Sequence, residues 1–165
     1  MDVLLVRHGK AQNYGRSGDD HGRPLTEKGW QQSQAVGRLL RRMRLVPDLV
    51  LTSPRKRAYE TGKGLMAELG QEGSPVIEEW LNFDLNPVTV LHELGALPEE
   101  IQRVVLVGHE PTFSSLVTWL LKVGSGYIEV KKASIVHLQL SPPSQEGALL
   151  KMVVPIRALL EESSV

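Results

Sequence analysis

The sequence predicts an α/β fold with a mostly parallel central sheet, on three observations. Short, wholly apolar runs, Val3–Val6 and Val104–Val107 above all, read as strands buried on both faces. Segments with apolar residues at helical spacing alternate with them, as in Trp30–Met43, Tyr59–Leu69 and Phe113–Leu121. Near the C-terminus the pattern changes: Ser134–Leu140 alternates in the manner of a strand, and Leu149–Val154 reads as its hairpin partner.

Taken in order, the first strand ends in Arg7-His8-Gly9, and Lys10–Pro24 is a polar, glycine-containing loop long enough to cover a site. Thr26 is placed to cap the first helix, with Glu27 in its positively polarised first turn, and Pro47 ends that region. Asp48–Thr52 reads as a second strand. Ser53-Pro54 follows it, and Pro54 suits a first helical position. The helix beyond opens on Arg55, Lys56 and Arg57, cations that oppose the helix dipole, so an anion is expected to offset them. It stops near Gly70. Pro75–Ile77 is a brief third strand, followed by the acidic and aromatic stretch Glu78–Asp84. A helix over Pro87–Leu97 leads to the clearest buried strand, whose exit is Gly108-His109-Glu110-Pro111.

At 165 residues the chain fits one domain, residues 1–165, able to bury about two thirds of its unfolded surface. Basic and acidic residues balance at 19 each, so no global charge points to nucleic acid or an anionic membrane. Cysteine is absent, which excludes disulfides, thiolate catalysis and cysteine-based zinc sites. The apolar runs are too short to span a bilayer, and Met1-Asp2 enters a strand without a signal-peptide pattern; a cytoplasmic protein is expected. The arginines between Arg38 and Arg44 read as a solvated helix face, His137 as a strand-face histidine and His21 as a solvated loop histidine.

Ligands of α/β proteins bind beyond the carboxyl ends of parallel strands, and it is there that the chemistry-bearing residues collect. Arg7 and His8 follow one strand, Arg57 another, Glu78 and Glu79 a third, and His109 a fourth. Guanidiniums grip phosphate oxygens bidentately, and a neutral imidazole can attack phosphorus, so the set suits phosphoryl transfer. There is no His-x-x-x-His pair and no Walker A loop, and arginines would repel a dication; no metal or other cofactor is expected.

These residues carry a resemblance. Val6-Arg7-His8-Gly9 is similar to the Arg-His-Gly signature of the histidine phosphatase, or phosphoglycerate mutase-like, superfamily. Arg23-Pro24-Leu25-Thr26 with Gly29, Ser53-Pro54-x-x-Arg57-Ala58-x-x-Thr61 and Gly108-His109-x-Pro111 resemble its small SixA-type phosphohistidine phosphatases, as does Lys131-Lys132-Ala133-Ser134 before the last hairpin. The resemblance implies a three-layer α/β/α fold of the phosphoglycerate mutase type, with His8 as nucleophile and Arg7, Arg57 and His109 completing the phosphate pocket. Gly9 and Arg23 are expected beside the phosphate. Larger family members place a proton donor after the third strand; Glu79 is the best match, then Glu78, then Asp84.

The expected activity is a metal-independent phosphatase acting on phosphohistidine in a protein such as a histidine phosphotransfer domain. The alternative is a phosphomonoesterase for a small phosphorylated metabolite, with the loop around Arg16 and Arg23 supplying selectivity. A noncatalytic phosphate-binding module on the same fold is a third reading, against which an intact Arg7, His8, Arg57 and His109 set argues. An acid remote from His8 would favour phosphohistidine, because a phosphoramidate leaves as neutral imidazole once its nitrogen is protonated, whereas an alkyl ester leaves as a poor alkoxide.

Overall fold

The structure, a computed structural model, describes residues 1–13, 18–141, 143 and 146–160. Six strands form one sheet: β1 (Asp2–Arg7), β2 (Leu49–Thr52), β3 (Val76–Ile77), β4 (Arg103–Gly108), β5 (Ile135–Leu140) and β6 (Ala148–Val154). Their order across the sheet is β3-β2-β4-β1-β5-β6. The first four are mutually parallel, while β5 runs antiparallel to β1 and β6 antiparallel to β5. The mostly parallel sheet and the closing hairpin are thus as the sequence predicts.

Successive side chains of a strand point to opposite faces, so each apolar run supplies two cores. Leu4 and Val6 of β1 and Val105 and Val107 of β4 pack beneath α1 (Glu27–Arg42) and α2 (Lys56–Leu69). Val3 and Leu5, with Val104 and Leu106, face α3 (Pro87–Gly95) and α4 (Thr112–Leu120) on the other side. The result is the three-layer α/β/α arrangement. Each leucine so enclosed contributes about 1.5–3 kcal/mol relative to exposure. Thr26 caps α1 as expected, its Oγ1 accepting from the Gly29 amide at 3.1 Å. Gly70 ends α2 at φ 70, a left-handed conformation that glycine adopts without a steric penalty.

One sequence expectation needs correction. Pro54 does not open α2, which begins at Lys56 with Arg55 as its N-cap. The Ser53 hydroxyl accepts from the Arg55 amide at 3.3 Å, so a serine turn fills the space before the helix.

The register of the central strands positions the site. Arg7 pairs with Gly108 and Thr52 with Val107, so the residues after β1, β2 and β4 emerge side by side. The helices that follow β1 and β2 lie on one face and those that follow β3 and β4 on the other, which opens a crevice at the carboxyl edge. Among the described residues no helix is long and apolar enough to cross a membrane.

Candidate active site

His8 leaves β1 into this crevice and is 8% exposed. Its Nδ1 lies 2.7 Å from the Gly9 carbonyl oxygen, which can only accept, so Nδ1 carries the proton. Nε2 is left with its lone pair, toward which Arg57 Nε donates at 3.3 Å. Burial, then the charges of Arg57 and Arg7, push the imidazole pKa down to about 3 against the opposing Gly9 hydrogen bond. His8 is therefore a neutral, oriented base at neutral pH. Gly9 lets the chain pass close to α1: a Cβ there would stand 2.7 Å from the Gly29 carbonyl oxygen. The Gly9 amide donates to Thr61 Oγ1 at 3.1 Å, and that hydroxyl donates to the Arg57 carbonyl at 2.7 Å, which ties the β1 exit to α2.

Arg57 is the largest fully buried side chain among the described residues. Its Nη1 donates to the Asp20 carbonyl oxygen at 2.8 Å and its Nη2 to Asp20 Oδ2 at 3.1 Å. Arg55 Nη1 reaches the same Oδ2 at 3.0 Å, and Arg23 Nη2 reaches Oδ1 at 2.6 Å. Asp20 is the anion that the cationic start of α2 requires. Burial opposes its ionisation, but hydrogen bonds and charge from Arg23 and Arg57 outweigh that and hold its carboxyl below the usual range.

His109 leaves β4 beside His8, with the two rings 5.2 Å apart, and Ser53 Oγ lies 2.7 Å from its Nε2. Ser53 Oγ also accepts from the Arg55 amide; when its hydroxyl donates to Nε2, the imidazole proton sits on Nδ1. Among the described residues that Nδ1 is buried without a hydrogen-bond partner, and so is Arg7 Nε; Arg7 Nη1 donates to the Val130 carbonyl at 2.9 Å. In that tautomer two oriented donors lack acceptors among the described residues, and an incoming oxyanion would satisfy both. Burial, then repulsion from His8 when that ring is protonated and from the arginines, pull His109 down to about 2.

Arg7, His8, Arg23, Arg57 and His109 line one cavity of about 290 Å³. Lys132, Phe83 and Glu110 complete much of its wall. Glu79 is exposed at the start of the 3-10 turn Glu79–Leu81, Glu78 Oε2 accepts from Trp80 Nε1 at 2.9 Å, and Asp84 is exposed; none of the three lines the cavity. The carboxylate that does is Glu110. Its Oε2 accepts from Ser114 Oγ at 2.7 Å, and its Oε1 is sealed from solvent without a partner among the described residues. His21 lies in the loop without lining the cavity, and Arg16 lies outside the described residues. Asp20, Phe83, Glu110 and Lys132 were not assignable from sequence. Only the uncompensated cations at the start of α2 signalled that an anion such as Asp20 had to exist.

Comparisons with known proteins place the sequence and the fold among relatives. A sequence profile of the histidine phosphatase superfamily (branch 1) matches residues 3–84. An uncharacterized protein of Picosynechococcus sp. is 32% identical over 147 residues, covering 84% of this chain and 85% of that one. The fold superposes on the protein histidine phosphatase SixA complexed with tungstate at a TM-score of 0.85, with 24% identity over 96% of this chain and 99% of the other. It also superposes on mycobacterial glucosyl-3-phosphoglycerate phosphatase at a TM-score of 0.70, with 18% identity over 92% and 97% of the two chains.

Proposed function

The chain belongs to the histidine phosphatase superfamily, and from that premise we propose that it is a metal-independent phosphatase working through a phosphohistidine on His8, with phosphohistidine in a protein as its substrate. The phosphoryl group enters between Arg7, Arg57 and His109, where Arg7 Nε and His109 Nδ1–H donate to its nonbridging oxygens. His8 Nε2 attacks phosphorus in line. The bond from phosphorus to the leaving nitrogen breaks, and its electron pair stays on that nitrogen. Arg57 Nε, released from Nε2, turns its hydrogen bond to the transferring oxygens, while Gly9 O stabilises the positive imidazole through Nδ1–H. Water then attacks phosphorus, the His8–phosphorus bond breaks, and inorganic phosphate leaves with His8 neutral again.

The observation that carries the phosphohistidine reading is that, among the described residues, no carboxyl group in the cavity lining has an open oxygen. Glu78, Glu79 and Asp84 do not reach it, and neither oxygen of Glu110 is available: one is bound by Ser114 and the other sealed. An alkyl phosphate needs such a donor; a protonated phosphoimidazole does not. The likeness in fold to SixA is consistent with this reading.

A phosphomonoesterase for small metabolites is the second reading. Arg23 and Lys132 in the lining favour it, as cations able to hold a further anionic group of a metabolite. Comparing kcat/KM for a phosphohistidine peptide with that for a panel of sugar and carboxylate-bearing phosphates separates the two. The phosphohistidine reading expects the peptide to be preferred; a preference of several decades for a metabolite overturns it.

A further inference from the structure

Phe83 occupies the segment where a carboxylate was expected, and its position calls for a different use. Its ring lines the same cavity as His8 and His109 and is 43% exposed, although an aromatic side chain gains by burial. The ring is held firmly nonetheless. Its centroid lies 4.6 Å from that of His109 at an interplanar angle of 46°. The guanidinium carbons of Arg55 and Arg57 stand 4.8 and 5.6 Å from the ring centre, within cation–π range. The neighbouring Asn82 accepts from Arg55 Nε at 3.0 Å, so the backbone carrying Phe83 is fastened to the same arginine that its ring touches. Arg55 is in turn fixed by Asp20. The cavity therefore presents a fixed aromatic surface against His109, whose own ring stands 5.2 Å from that of His8, with part of the Phe83 ring open.

We propose that Phe83 is a specificity-determining residue that contacts the leaving group, selecting heteroaromatic leaving groups over aliphatic ones; this rests on the phosphohistidine reading given above. When the phosphoryl group is bound between the arginines, the leaving group must extend from phosphorus on the side opposite His8, toward the cavity wall and mouth. An imidazole ring departing there can stack on, or meet edge-on, the open part of Phe83 and exchange water for aromatic contact. A lysine amine or a sugar hydroxyl has no such complement. Phe83 supplies no proton and forms no bond to phosphorus. Its contribution is to hold the ring of the substrate so that the phosphorus–nitrogen bond lies in line with His8 Nε2.

The test compares two peptides of identical sequence, one carrying phosphohistidine and the other phospholysine, so that both present a phosphorus–nitrogen bond and only one presents a ring. Wild type, Phe83→Leu and Phe83→Tyr are assayed, with thermal unfolding to verify that each is folded. Phe83→Leu lowers kcat/KM for phosphohistidine about tenfold, mostly through KM, leaves phospholysine within about twofold, and Phe83→Tyr restores the wild-type ratio. Equal losses on both peptides, or no loss on either, overturn the role of Phe83 while leaving the substrate reading intact. A wild-type protein that hydrolyses neither peptide but turns over a sugar phosphate overturns the substrate reading, and the role of Phe83 with it.

Discussion

Asp20 holds both terminal nitrogens of Arg57, Nη1 through its backbone carbonyl at 2.8 Å and Nη2 through its carboxylate at 3.1 Å, leaving Nε aimed at His8. The loop after β1 thereby orients an arginine of α2 toward His8 at the exit of β1. Replacing Asp20 by Asn removes the charge but keeps an oxygen acceptor. Asp20→Asn is expected to lower kcat about tenfold, because Arg57 is less well held, and to tighten inhibition by inorganic phosphate, because the pocket becomes more positive. Steady-state kinetics with phosphate as inhibitor checks both. The effect on phosphate inhibition shrinks with added salt, since the Asp20 side chain is partly exposed and its charge is screened.

Acid should weaken the fold through the two site histidines. Both pKa values lie below the ordinary 6.5, at about 3 for His8 and about 2 for His109. Between those values and 6.5 the unfolded chain binds protons that the folded chain refuses, so stability is complete above 6.5 and declines as the pH falls through that window. Urea denaturation at pH 7.5 and 4.5 should show the decline, and His8→Asn should reduce it. Nitrogen NMR should find His8 neutral with its proton on Nδ1 at pH 5; a half-protonated ring near pH 6.5 would contradict this.

The close passage of Gly9 over Gly29 makes a third test. Gly9→Ala places a methyl 2.7 Å from a backbone oxygen that no rotamer change can move. Destabilisation of about 1–3 kcal/mol is expected from such overpacking, measured as a lower urea midpoint at unchanged slope. Turnover should fall as well, because the Gly9 carbonyl sets the tautomer of His8.

The carboxylates can be sorted by leaving group. Glu79→Gln should leave turnover of a phosphohistidine peptide within about twofold, since Glu79 is exposed and outside the cavity lining. Glu110→Gln should change it by less than about fivefold. A loss of about 100-fold or more, confined to alkyl phosphates, would instead identify Glu110 as a general acid.

Most of the scaffold was legible in the sequence because its signals are local. A four-residue apolar run followed by Arg7-His8 or Gly108-His109 marks a strand and its exit without reference to anything distant. Parallel pairing then brings such exits together, as the Arg7–Gly108 register does. Asp20 was not legible, because nothing around it in sequence distinguishes it from Asp19; only the spatial return of the loop onto α2 gives it three arginine partners. Glu79 and Phe83 show the same limit at closer range. They are four residues apart, and the 3-10 turn between them decides that the ring, rather than the carboxylate, lines the cavity. The hydrogen bond of His109 Nε2 likewise comes from Ser53, a residue distant in sequence whose hydroxyl meets the ring only in the fold.

The central claim is that His8 accepts the phosphoryl group, and the most direct measurement is rapid-quench trapping with a peptide carrying radiolabelled phosphohistidine. Within the first turnover, label is expected on His8 as a base-stable, acid-labile phosphoramidate, and a folded His8→Ala variant should neither take up label nor release phosphate. Turnover without label on His8, or a His8→Ala variant that still turns over, would contradict it.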